Sequence, residues 1–90
     1  MIFDLGKPYE VTGVAVRSRK EGVPSGFAVS VGDGGTFTET GATAKPEWTD
    51  LWTTLKTKPA VGRFVKIRVR FPDRNGGWLD EIELFGRPTE

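Results

Sequence analysis

The chain has 90 residues, 13 of them Lys or Arg and 12 Asp or Glu, giving a net charge of +1, and it contains no cysteine and no histidine. A chain of this size makes one domain, 1–90, held by a single apolar core without disulfides. The missing residue types exclude thiol catalysis, Ser-His triads and Cys/His zinc sites. The balanced charge gives no bulk attraction to nucleic acid or membrane, and no apolar run approaches the ~20 residues of a membrane span.

The dominant side-chain period is two, which is that of strands. In chain order, strands are expected near 2–5, 10–18, 26–32, 36–39, 51–56, 63–71 and 78–85. In the first, Gly6-Lys7-Pro8 reads as the terminator. In the second, Val14 and Val16 share a face opposite Ala15 and Arg17. In the third, Phe27, Val29 and Val31 alternate with Ala28, Ser30 and Gly32, and Asp33-Gly34-Gly35 supplies a tight hairpin into the fourth. A polar linker from Gly41 to Glu47, carrying Pro46, precedes the strand in which Leu51, Thr53 and Leu55 alternate with Trp52, Thr54 and Lys56. Val65, Ile67, Val69 and Phe71 then alternate with Lys66, Arg68 and Arg70, and Asp73 to Gly77 turns the chain into the last strand. Breakers recur too often for a long helix. Short strands spaced in this way predict an all-β fold, an antiparallel β-sandwich.

The outward charges on the late strands have a structural explanation. If the strand carrying Lys66, Arg68 and Arg70 neighbours the one carrying Glu81 and Glu83, they form cross-strand ion pairs, leaving the phosphate-binding stripe as the other reading. The remaining catalytic option, a carboxylate pair, fails on geometry. Asp80 and Glu81 point to opposite faces, and Glu81 and Glu83 look toward cations. No phosphate loop, dinucleotide fingerprint or metal-spacing motif appears. The expectation is therefore a non-enzyme without a cofactor.

Four stretches carry a resemblance: Asp4-Leu5-Gly6-Lys7 followed by Val11-Thr12-Gly13-Val14, Ser30 to Phe37, Arg63-Phe64-Val65-Lys66-Ile67, and Glu81 to Gly86. In this order and spacing they resemble the discoidin domain, also called the coagulation factor 5/8 type C or galactose-binding-like domain. The resemblance implies a jelly-roll-like sandwich, here shortened at its N-terminal side, because the family's segment ahead of the Asp-Leu-Gly strand has no counterpart. That segment supplies most ligands of the family's structural calcium, and Glu83, which matches its closing glutamate, is left without them. No calcium is expected.

The resemblance also implies a glycan-binding module, accessory to a larger extracellular or cell-surface protein, gripping sugar through loops at one end. The matching positions are Arg17 or Arg19 after an early strand, and Arg74 and Asn75 in the late loop leading into Trp78; Trp48, after the linker, is a third candidate. A ring stacks on the sugar's C–H face and a planar guanidinium binds its hydroxyls. Each residue has a second reading: Trp78 as rim packing, Arg17 and Arg19 as loop solubilisers, Asn75 as a turn residue. Of Trp48 and Trp52, the first is expected to be the more exposed, the second to cover the sheet. Met1 lies so close to the first strand that no leader is expected. The alternative reading is a protein–protein or self-assembly module, with the shortened sandwich exposing an edge that invites a homo-oligomer. Lipid binding ranks last, and no nucleic-acid partner is expected.

Overall fold

The computed structural model of the chain describes residues 1–18, 23–71 and 79–89. It is all-β, with five strands among the described residues: β1 (Ile2–Ser18), β2 (Gly26–Gly32), β3 (Phe37–Thr43), β4 (Trp52–Arg70) and β5 (Leu79–Pro88). They form one antiparallel sheet in the order β3-β2-β4-β1-β5.

β1 and β4 are 17 and 19 residues long, far beyond the usual five or six. Each unites two strands expected from the sequence. Gly6-Lys7-Pro8 does not end the first strand; it bends it. Asp4 pairs with Phe64 and Tyr9 with Gly62, so residues 5–8 of β1 stand against Arg63 alone. A second irregularity sets Thr12 of β1 against residues 57–59 of β4. Bulges of this kind bend a strand and let it pass from one layer to another.

The sheet consequently folds over on itself into a sandwich-like body. β3, β2, the 64–70 part of β4 and the start of β1 form one layer. The 52–61 part of β4, the rest of β1 and β5 form the other. Between them lies one cluster drawn from both layers: Val11, Val14 and Val16 from β1, Phe27, Val29 and Val31 from β2, and Val65 and Ile67 from β4. The expected alternation holds on β2 and on 65–70, where Ile67 is 1% exposed while Arg68 and Arg70 are exposed. Val11 is out of phase with Val14 and Val16, and the bulge at Thr12 returns it to the inner face.

The expected pairing of Lys66, Arg68 and Arg70 with Glu81 and Glu83 is not made, because β1 stands between β4 and β5 and the 64–70 part of β4 lies in the opposite layer. Cations meet carboxylates elsewhere: Arg17 with Glu81 at 3.8 Å, Arg87 with Glu10 at 3.0 Å, and Arg63 with Asp4 at 2.7 Å. β3 also runs on to Thr43, consuming the first part of the expected linker.

Two aspartates fix the turns. Asp33 Oδ1 accepts from the N–H groups of Gly35 and Thr36, both at 3.0 Å, closing the β2–β3 hairpin with Gly34 at a φ of 107°. These donors lower the Asp33 pKa. At the β1 bend, Arg63 Nε and Nη2 donate to the two Asp4 oxygens at 2.7 and 2.8 Å, and Gly6 N–H donates to Asp4 Oδ1 at 2.8 Å. The Arg63 hydrogen bonds, with help from Gly6, hold the Asp4 carboxyl at about 2, below its ordinary 3.8.

The folded chain thus releases the Asp4 proton more readily than the unfolded chain. The stability this contributes is complete above the ordinary carboxylate range and is lost as pH falls from about 4 to about 2. Urea midpoints measured from pH 6 to pH 2 should drop through that window. Asp4→Asn should be less stable at pH 6 and show a shallower drop; an unchanged slope would contradict the role given to this pair.

Candidate functional site

The topology gathers strand ends at one end of the sandwich. Ser18 of β1 pairs with Leu79 of β5, Arg17 with Trp52 of β4, Gly26 of β2 with Arg70 of β4, and Phe27 with Thr43 of β3. The β3–β4 connection, 44–51, belongs to this end. It closes with a two-residue turn in which Thr49 N–H donates to Trp52 O at 2.8 Å and Trp52 N–H to Thr49 O at 2.9 Å. Asp50 and Leu51 occupy it with φ of 51° and 70°, the left-handed geometry that a tight hairpin turn demands. For a leucine that geometry is strained, and it is held in place by Ser18 N–H, which donates to Leu51 O at 2.9 Å.

This turn sets Trp52 into a groove of about 540 Å³. The groove runs beside Lys45, Pro46, Glu47 and Thr49 of the connection and Thr54 of β4. Its size is that of a small-molecule site. The half-buried Trp52 offers an apolar plate, the threonine hydroxyls both donate and accept, Lys45 donates and Glu47 accepts. Such a mixture suits a neutral polyhydroxylated ligand. Among the described residues, no pair of carboxylates converges there.

Of the residues singled out from the sequence, two are described. Arg17 is half-buried on β1, between Trp52 and Glu81, with its Nε buried and without an acceptor among the described residues. Trp48 is half-buried in the connection, as Trp52 is at the start of β4, so the expected contrast between the two rings is absent. Trp52, not Trp48, lines the groove. Arg19, Arg74, Asn75 and Trp78 lie outside the described residues, although the strand ends flanking them, Ser18, Arg70 and Leu79, belong to this same end of the sandwich. Glu83 is exposed on β5 opposite Ala15, and no group of three or more His, Cys, Asp or Glu among the described residues is placed to hold a metal ion.

No family model and no curated protein matches the sequence. Solved structures do match its fold. The C-terminal domain of a chitobiase from Bacteroides fragilis aligns over 99% of this chain with a TM-score of 0.75 and 14% identity. The chain spans 63% of that structure's length. At this identity the likeness is one of fold.

Proposed function

We propose that this chain is a non-catalytic carbohydrate-binding module of the galactose-binding-like type, accessory to a larger protein, and that it grips a glycan at the loop end of the sandwich. The carrying observation is the groove in which the Trp52 ring stands among Thr49, Thr54, Lys45 and Glu47. The fold shared with a domain of a chitobiase supports the reading, since that protein's name places its domain beside a sugar-active enzyme. Trp52 stacks on a sugar face while the hydroxyls and charged groups bind its oxygens. Arg17, Trp48 and the loop residues Arg19, Arg74, Asn75 and Trp78 remain candidates for the rest of the grip. A single shallow site of this kind binds modestly, and repetition in a larger protein raises avidity.

Calorimetric titration with chito-oligosaccharides and galactosides tests this. Trp52→Ala should weaken binding by about tenfold or more, equivalent to about 1.4 kcal/mol, with an unchanged far-ultraviolet spectrum. Binding should stay nearly flat between about pH 6 and 8, because no histidine titrates there. No binding to either sugar class, or an affinity indifferent to Trp52→Ala, would remove the proposal.

A second reading is self-assembly, in which the exposed apolar side chains Ile2 and Val61, 58% and 60% exposed, would be among the groups covered. Sedimentation at rising concentration should show a mass increase that Val61→Lys abolishes; a constant monomer mass would end it.

A further inference from the structure

The outer face of the β3-β2-β4 layer carries a second groove, separate from the Trp52 groove and touching it only at Thr43. It has a volume of about 460 Å³. Its floor is β2, where the outward residues Gly26 and Ala28 present almost no side chain. One wall is β4, where Arg70 pairs with Gly26 and Arg68 with Ala28. The other is β3, where Ala42 pairs with Ala28 and Glu39 lies one step further along. The walls flank a single strand, so they stand about 10 Å apart, wide enough for one extended chain.

The charges of this groove are unbalanced. Arg68 and Arg70 are both exposed, and among the described residues neither forms an ion pair. They sit on alternate residues, roughly 7 Å apart along the strand. Lys66, next in the row, is engaged otherwise: its Nζ lies over the Phe37 ring, 5.4 Å from the centroid. Among the described residues, Glu39 is the only carboxylate lining the groove. Two guanidinium forks above a flat floor match anionic groups on a narrow chain, since arginine binds two oxygens of a carboxylate or sulfate through paired hydrogen bonds. Among the described residues, the one aromatic residue lining the groove, Phe27, belongs to the core, and Phe37 lies under Lys66. A nucleic acid, which relies on exposed rings for stacking, is a poorer fit.

We infer that the groove between Arg68, Arg70 and Glu39 is a binding site for an acidic oligosaccharide, a chain bearing carboxylate or sulfate groups. It is distinct from the Trp52 groove and does not depend on glycan binding there.

The test is titration of the protein with a uronate-containing tetrasaccharide, in sulfated and unsulfated forms, and with a neutral tetrasaccharide as control. The acidic sugars should bind, and raising the salt from 50 to 300 mM should weaken them severalfold. The double variant Arg68→Gln/Arg70→Gln should weaken them by at least about tenfold while leaving the unfolding midpoint and neutral-sugar binding unchanged. Trp52→Ala should leave acidic-sugar binding intact. In a second variant, Glu39→Gln should tighten it, because an opposing charge is removed. No acidic-sugar binding, equal loss in the Trp52 variant, or equally tight capture of a single-stranded oligonucleotide or anionic vesicles would each overturn the inference.

Discussion

Replacing Gly62 by alanine should lower the unfolding free energy by about 2 kcal/mol, within the 1–3 kcal/mol range typical of overpacking. Gly62 lies at the point where β4 leaves one layer for the other, opposite Tyr9. There the chain crosses directly over the end of β2. A Cβ on Gly62 would stand 2.7 Å from the Gly32 carbonyl oxygen, 2.7 Å from Val31 Cγ1 and 3.1 Å from the Gly32 nitrogen. The side chain has little room to move, since Val31 is 4% exposed within the core, and backbone atoms of a paired strand move only with their strand. Gly35→Ala is the control: its Cβ would meet only Asp33 Oδ1 at 3.8 Å, so that change should stay within about 0.5 kcal/mol. Urea denaturation of the three proteins measures both effects. Equal stabilities would mean that the crossing is looser than drawn.

Ile67→Ala should cost more, about 3 kcal/mol. Ile67 is 1% exposed in the central strand, flanked by Val29 of β2, and its backbone is fixed on the other side by Met1, whose amino group donates to Ile67 O at 3.0 Å. With neighbours held on both sides, the cavity left by the lost atoms has little means to collapse. Domains of this kind have total stabilities of about 5–15 kcal/mol, so the loss is a large share of the whole. Arg68→Ala, one residue on, should change stability by less than about 0.5 kcal/mol. A similar cost for both substitutions would contradict the inward–outward alternation on which the two-layer reading rests.

That alternation was legible in the residues. Phe27-Val29-Val31 and Val65-Ile67-Val69 announced their inner faces, and Asp33-Gly34-Gly35 announced its hairpin, because each signal is local. The continuity of β1 and β4 was not legible. Gly6 and Pro8 in one, and Pro59 and Gly62 in the other, are residues that ordinarily punctuate, and nothing in their spacing distinguishes a bend within a strand from its end. The distinction lies in pairing across the sheet, and in the Asp4 carboxylate that accepts the Gly6 N–H and carries the chain through the bend. Strand order was hidden for the same reason. Arg17 finds Glu81, and Arg63 finds Asp4, only because β1 lies between β4 and β5.

The candidate site was legible only in outline. A loop end carrying tryptophan and arginine followed from the order of turns and the family resemblance. Which indole faces the groove did not, since it depends on the left-handed Asp50-Leu51 turn, and neither residue advertises that geometry as Asn-Gly would. The row of Arg68 and Arg70 was visible as a stripe. Its character as a groove wall needed the small outward residues of β2 to be placed beside it.

The placement of β1 has a consequence for how the chain is made. Its partners, β4 and β5, are the last two strands to be synthesised, while the intervening β2 and β3 can close only on each other. On a ribosome Val11, Val14 and Val16 must therefore wait, uncovered, until residues 52 onward emerge. Folding dominated by such distant pairings is slow, and the nascent strand is open to trapping by chaperones or by other chains throughout that delay.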